Sequence, residues 1–252
     1  MDESLFRTGD GGAVTAVTAE EMRAVDRVAV EAFGVDLLQM MENAGRNLAL
    51  AARERRAAGP VAVVAGDGGN GGGGLACARH LANHGVPIAV ALDREPGALT
   101  GAAAHQHATL SEMGVPVGVG PGALPDDPGL VVDALIGYGL AGEVRGRARD
   151  MVEVLGDDTP GDGTSPPVLS LDLPSGRDAT TGEVLGAAVD PDAVLTLALP
   201  KTGLGAVDAP VVLADIAVPA GVYDRLDIPY GGPFDGQDRV PLRPVDGQPV
   251  DP

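Results

Sequence analysis

Seven of the nine residues from Gly66 to Gly74 are glycine, and the other two are Asp67 and Asn70. So few side chains in a row constrain a fold strongly. Ordered glycine costs conformational entropy, so its repetition implies a tight turn or a close approach to the backbone. The flanks define the setting. Before the glycines, Val61-Ala62-Val63-Val64-Ala65 is an unbroken apolar run of strand length, the pattern of a parallel strand covered on both faces. After them, Leu75, Ala78, Leu81 and Ala82 recur at helical spacing. The expected unit is a buried strand, a glycine loop, and a helix that opens beyond the glycines. Free N–H groups at such a helix start suit an anion such as a phosphate, with Asn70 as the one amide side chain. A tight turn with no ligand is the competing reading, because a glycine-rich loop alone is a weak motif.

The rest of the chain repeats the alternation of strand and helix. Thr18 and Glu21 have the spacing of a capping box ahead of a helix ended by Gly34. A second helix is expected over 36–58. Within it Glu42 and Asn43 interrupt an apolar stretch, facing either solvent or a site near the glycines. Further strands are expected at 87–92, 115–119, 130–133, 168–171, 193–199 and 211–216, and helices at 100–113 and 144–155. Residues 156–167 read as a surface loop. Residues 1–17 read as a flexible N-terminal arm, 18–220 as one folded domain, and 221–252 as a mobile tail rich in Pro, Gly and Asp. The class is α/β with a mostly parallel sheet, helices on both faces, and ligands expected beyond the carboxyl ends of the strands.

Composition narrows the function. Net charge is −19, which disfavours nucleic-acid backbones and anionic membranes as partners. Aromatics make up 2% of the residues, too few for base-stacking platforms. Lys201 is the only lysine among 17 basic residues; an acidic, lysine-poor surface suits a high-salt cytoplasm, and a GC-rich genome is the other explanation. The single cysteine, Cys77, forms no internal disulfide and reads as a small buried residue. No apolar run reaches membrane-spanning length and the acidic N-terminus lacks a signal-peptide pattern, so a cytoplasmic location is expected.

Three strand ends carry polar turns: Asn70 in the first, Asp133 in the second, Asp172 and Ser175 in the third. Their convergence at one rim is the main argument for an active site. Asp172, after a buried strand and before Pro174-Ser175-Gly176, is the candidate acid or base, with an Asx-turn role as the alternative. Asn70, Asp133 and Ser175 offer oxygen ligands for a hard cation, and one carboxylate among neutral oxygens fits a monovalent ion such as potassium. Lys201 either meets a phosphate or steadies the acidic rim. His80 and His84 could share a helix face as metal ligands but have no third ligand evident nearby, and His105 and His107 would point apart on a helix. Neither a nucleophile elbow nor a Walker lysine is present.

Four ordered segments resemble the NAD(P)H-hydrate epimerase family. They are 19–26 followed by Met41-Glu42-Asn43-Ala44-Gly45; the glycine run 68–74; Asp133-Ala134-Leu135-Ile136-Gly137-Tyr138-Gly139-Leu140; and Asp172-Leu173-Pro174-Ser175-Gly176 with Pro200-Lys201 downstream. The resemblance implies a three-layer αβα Rossmann-like sandwich, a homodimer, and interconversion of the R and S forms of hydrated NADH or NADPH. It implies Asp172 as the group that moves the proton and contacts the nicotinamide. It also implies a potassium ion at Asn70, Asp133 and Ser175, and substrate contacts from Gly69, Asn70, Gly71, Gly72, Gly73, Gly137, Tyr138, Gly139, Leu140 and Arg145. A separate NAD(P)H-hydrate dehydratase is the implied functional partner. The chain departs from the family pattern at Gly69 and Gly73, where Asn and Asp are usual, and at Tyr138, where Thr is usual. These departures motivate the alternative of a non-catalytic nucleotide-binding or scaffold protein on the same fold.

Overall fold

The computed structural model describes residues 5–156 and 165–245. The arm expected over 1–17 is partly sheet: β1 (Phe6–Thr8) and β2 (Ala13–Val14) form an antiparallel pair. Phe6 and Val14 are buried in a shared apolar cluster, which holds this segment to the body of the protein.

Helix α1 (Ala19–Phe33) begins at the capping box. Thr18 Oγ1 accepts from Glu21 N at 3.2 Å, and the Glu21 carboxylate accepts from Thr18 N at 2.7 Å. Gly34 ends it in the left-handed region at φ 70°. Helix α2 (Leu37–Arg55) leads to β3 (Val61–Ala65), all five residues of which are buried.

The next helix corrects the sequence reading. Helix α3 (Gly69–Asn83) does not wait for the glycines to end; it runs through five of them. Glycine is a poor helix former, so tertiary contacts decide here. A Cβ on Gly71 would lie 1.8 Å from the Gly66 carbonyl oxygen, and one on Gly74 would lie 2.4 Å from Ala134 Cβ. On α2, a Cβ on Gly45 would lie 2.5 Å from Ala76 Cβ. The glycines let α3 press into the corner between α2, the turn after β3 and the neighbouring strand.

The remaining elements are β4 (Ile88–Leu92), α4 (Gly101–Glu112), β5 (Val117–Val119), β6 (Leu130–Ala134), α5 (Gly146–Gly156), β7 (Val168–Leu171), β8 (Ala193–Leu197), β9 (Val211–Ala214), α6 (Ala220–Arg225) and β10 (Arg239–Pro244). Among the described residues ten strands form one sheet in the order β2-β1-β10-β9-β8-β7-β6-β3-β4-β5. Strands β3 to β9 are mutually parallel, while β10, β1 and β2 extend the β9 edge antiparallel. The tail expected over 221–252 therefore includes a helix and an inner strand as far as residue 244. Val240 and Leu242 alternate inward while Pro241 and Arg243 face out. Residues 157–164 of the expected surface loop and 246–252 of the tail lie outside the described residues.

Alternate residues of β3 serve the two faces. Val61, Val63 and Ala65 cluster with Leu75 and Leu81 of α3, whereas Ala62 and Val64 cluster with Met151 and Val152 of α5. This makes three layers, αβα. From β3 the chain moves outward through β4 and β5, then returns to the other side with β6. The strand order thus reverses between β3 and β6, and ligands of such sheets bind at that reversal.

Candidate active site

Asp172 sits just beyond β7 with φ 68°, and Leu173 N donates to Leu171 O at 2.8 Å around it. This is a three-residue turn with positive φ, an uncommon and strained conformation. The adjacent strand ends the same way. Ala198 has φ 61°, and Leu199 N donates to Leu197 O at 2.7 Å. The second turn brings its backbone to the first: Leu197 N donates to Asp172 Oδ1 at 3.2 Å. The Thr196 hydroxyl adds a bond at 3.4 Å, and Lys201 Nζ pairs with the same oxygen while donating to the Leu197 carbonyl at 2.9 Å. Lys201 is 1% and Asp172 3% exposed, so this is a buried ion pair with its hydrogen bonds filled, not a lysine on an acidic rim. Asp172 Oδ2 makes no hydrogen bond among the described residues, and the side chain lines a cavity.

That cavity measures about 1090 Å³, at the upper end for small-molecule sites. It occupies the strand-order reversal. The start of α3, the turn after β6, α1 and the end of β7 wall it. Six basic side chains line it, Arg23, Arg27, Arg94, Arg145, Arg147 and Lys201, against five carboxylates. Over the whole chain carboxylates exceed basic residues by 19. The cavity is therefore a local reversal of sign, suited to a polyanionic ligand. The N-cap of α3, Gly68, is extended and no side chain caps it. The first-turn amides at Gly69 and Asn70 thus open onto the cavity, where an anion would satisfy them.

Tyr138, on the turn after β6, donates its hydroxyl to Asp26 Oδ2 of α1. Burial pushes the Asp26 carboxyl above its ordinary range, against the opposing pull of the Tyr138 hydroxyl and Lys201. Burial and the Asp26 charge push the Tyr138 phenol up. The ring also lies 5.7 Å from Lys201 Nζ and 6.0 Å from the Arg23 guanidinium.

Asp133 and Ser175 meet beneath the same turn. Asp133 is fully buried. Oδ1 accepts from Ser175 Oγ at 2.5 Å and Leu135 N at 3.3 Å; Oδ2 accepts from Ser170 Oγ at 2.8 Å and Ser175 N at 2.9 Å. Burial raises its proton affinity and these four donors lower it. No cation pairs with it among the described residues. Ser175 Oγ also accepts from Ile136 N at 2.9 Å. Asn70 packs against the next residue, Gly137, and its Nδ2 is buried without a partner among the described residues. The three expected ion ligands thus gather around residues 135–137.

Of the other expected contacts, Gly69, Asn70, Gly137, Tyr138, Gly139 and Arg145 line the cavity with Asp172. Gly71, Gly72, Gly73 and Leu140 do not. The three glycines lie in the buried interior of α3, where a Cβ on Gly73 would stand 3.0 Å from Leu171 Cδ2. Leu140 packs into the cluster on the α5 face. Glu42 and Asn43 also turn away. Glu42 pairs with Arg79 and His80, and Asn43 reaches the Ile216 carbonyl at 3.4 Å. Asp26 was missed as a site residue, although a carboxylate four residues after Met22 on a helix face with Val25 and Ala29 was visible. Arg94 and Arg147 had no such signal, since they reach the site from separate loops.

Comparison with known proteins identifies relatives of the chain. The family model described as the YjeF-related protein N-terminus matches residues 37–203. The chain is 40% identical to an NAD(P)H-hydrate epimerase of Dehalogenimonas lykanthroporepellens, covering 91% of this chain and 93% of that protein. It is 35% identical to an NAD(P)H-hydrate epimerase of Limosilactobacillus fermentum over 75% of this chain and 88% of that one. It is also 38% identical to a bifunctional NAD(P)H-hydrate repair enzyme of Salinibacter ruber, of which it spans 42% of the length. The crystal structure of the yeast protein ynu0 superposes with a TM-score of 0.76 at 23% identity, over 92% of this chain and all of that one, and so shares the fold. On these matches, the chain belongs to the family of the YjeF-related protein N-terminus.

Proposed function

We propose that this protein interconverts the R and S forms of hydrated NADH or NADPH, with Asp172 as the group that takes and returns a proton. The observation that carries the reading is the posture of Asp172. One carboxylate oxygen is clamped by Lys201, Thr196 and the Leu197 amide, and the other faces a large, locally basic cavity at the strand-order reversal. A clamped carboxylate with one free oxygen is pre-organised for proton transfer. The rim arginines, Arg145 among them, and the open start of α3 suit the cofactor's phosphates. The names of the epimerase relatives support the same substrate. Gly73, the main departure from the family pattern, lies off the cavity wall, so its change leaves the groups around the ligand in place.

The test is to mix the protein with R- and S-hydrated NADPH and follow their interconversion by chromatography. Asp172→Asn suits the comparison, because asparagine tolerates positive φ and keeps an acceptor for Lys201. We expect the variant to lose at least about 100-fold in rate. Wild-type protein no faster than the protein-free blank would leave only a binding or scaffold role on this fold.

We also propose a potassium ion held by Asn70, Asp133 and Ser175. Among the described residues Asp133 is a buried carboxylate without a countercharge, and the Asn70 amide has an unpartnered position that, with the amide turned over, offers an oxygen. When bound, potassium would supply that countercharge and stiffen the turn over 135–137. Replacing potassium by tetramethylammonium is expected to slow turnover about 10-fold or more and lower the unfolding midpoint. Insensitivity of both would remove the ion from the site. By analogy with the bifunctional repair enzymes, we infer a separate dehydratase as functional partner, and a homodimer whose second copy covers the exposed Phe33, Leu37 and Leu38 where α1 meets α2.

A further inference from the structure

The hydroxyl of a hydrated dihydronicotinamide sits on a carbon beside the ring nitrogen. Inverting that carbon by loss and regain of water needs proton transfer on both faces of the ring. Asp172, fixed on its strained turn with Oδ1 clamped, has one free oxygen to offer to such a ring. A second proton-handling group is required, and the cavity wall holds one besides Asp172.

We propose that Asp26 is a second catalytic carboxyl of this cavity, positioned by Tyr138, and that it serves the ring face opposite Asp172. The inference rests on the epimerase reading. Five features carry it. Asp26 lines the same cavity as Asp172 but comes from a different element, α1 rather than the end of β7. Its Oδ2 is tied to the Tyr138 hydroxyl, and its Oδ1 makes no hydrogen bond among the described residues. Each carboxyl therefore has one anchored and one free oxygen. The Tyr138 ring lies 5.7 Å from Lys201 Nζ, which holds the anchored oxygen of Asp172, so two side chains separate the carboxyls in a continuous run. Tyr138 also stands where the family resemblance has the smaller threonine, so the reach from the β6 turn to α1 depends on this residue. The raised proton affinity of Asp26 suits a donor.

The step balances. For the epimer whose hydroxyl faces α1, Asp26 gives its proton to that oxygen and the C–O bond breaks. Water departs as the ring nitrogen's lone pair forms a C=N bond. A solvent water on the other face adds its oxygen to the carbon, the C=N electrons return to nitrogen, and Asp172 takes the proton. One water leaves, one enters, and the configuration inverts. The opposite epimer reverses the roles and restores both carboxyls.

The test is oxygen exchange against inversion in ¹⁸O-labelled water, starting from each pure epimer, with Asp26→Asn and Tyr138→Phe. In wild type, label enters with inversion from both epimers. In Asp26→Asn, inversion is expected to fall about 100-fold. The epimer whose hydroxyl faces Asp172 should still exchange oxygen with retention, while the other becomes inert. Tyr138→Phe, which keeps the ring and removes the anchor, should shift the exchange-to-inversion ratio the same way by a smaller factor. Inversion unchanged in both variants, or exchange and inversion lost in equal proportion from both epimers, would overturn the role of Asp26. Failure of the epimerase reading has a different signature: wild-type protein that accelerates neither process above the blank.

Discussion

Asp26 shows how a functional carboxylate trades against stability. Its proton affinity is raised above the ordinary value of 3.8 chiefly by burial. The folded chain therefore holds this proton at pH values where the unfolded chain has lost it. Stability from this group is present at low pH and declines as pH rises from near 3.8 through the raised value. Asp26→Asn removes that decline. Its stability relative to wild type is expected to grow between pH 4 and pH 8 in urea unfolding, and a gap that stays constant would contradict the burial argument. The same substitution is expected to cost activity, the usual exchange at a site that keeps a charge out of water. Lys201 illustrates the other resolution. Its ammonium is buried more deeply than the Asp26 carboxyl, and a carboxylate and a carbonyl meet it there.

At the scale of elements, the close contact of α2 with α3 depends on small residues. A Cβ on Gly45 would stand 2.5 Å from Ala76 Cβ, so Gly45→Ala is expected to destabilise by about 1–3 kcal/mol. Adding Ala76→Gly should recover most of that loss, a non-additivity readable by urea denaturation of the single and double variants. The strand and helix pattern of the central domain was legible because its strands are apolar runs and its helices carry periodic apolar faces. Asp133 and Asp172 were legible as strand-end carboxylates. The extent of α3 was not, because glycine's intrinsic preference speaks against a helix and only the Gly66 carbonyl, Met41 and Ala134 explain it. Strand β10 was hidden by Pro241 and Pro244, although Val240 and Leu242 keep the two-residue period. Its proline at 241 points outward and the strand still pairs on both sides. The Asp26–Tyr138 bond joins residues distant in sequence, and no local pattern could pair them.

Across the whole molecule, a charge of −19 surrounds a cavity where cations outnumber carboxylates by one. The general surface repels itself, and added salt should relieve this as the screening length shrinks from about 10 Å at 0.1 M to about 3 Å at 1 M. The unfolding midpoint is expected to rise with KCl, by about 2–4 °C for each kcal/mol of repulsion removed, followed by circular dichroism. No helix among the described residues is long and apolar enough to cross a membrane. The sheet itself has one more property. Its first strand, β1, pairs with its last, β10, Phe6 standing opposite Pro244. During synthesis at about 5–20 residues per second, β1 leaves the ribosome tens of seconds before its partner exists. Until then β1 has only the two-residue β2 beside it, whereas the β9 edge, made just ahead of β10, lies bare for only about 1–5 s at that rate. The waiting β1, rather than the finished protein, is where a chaperone would find most to hold.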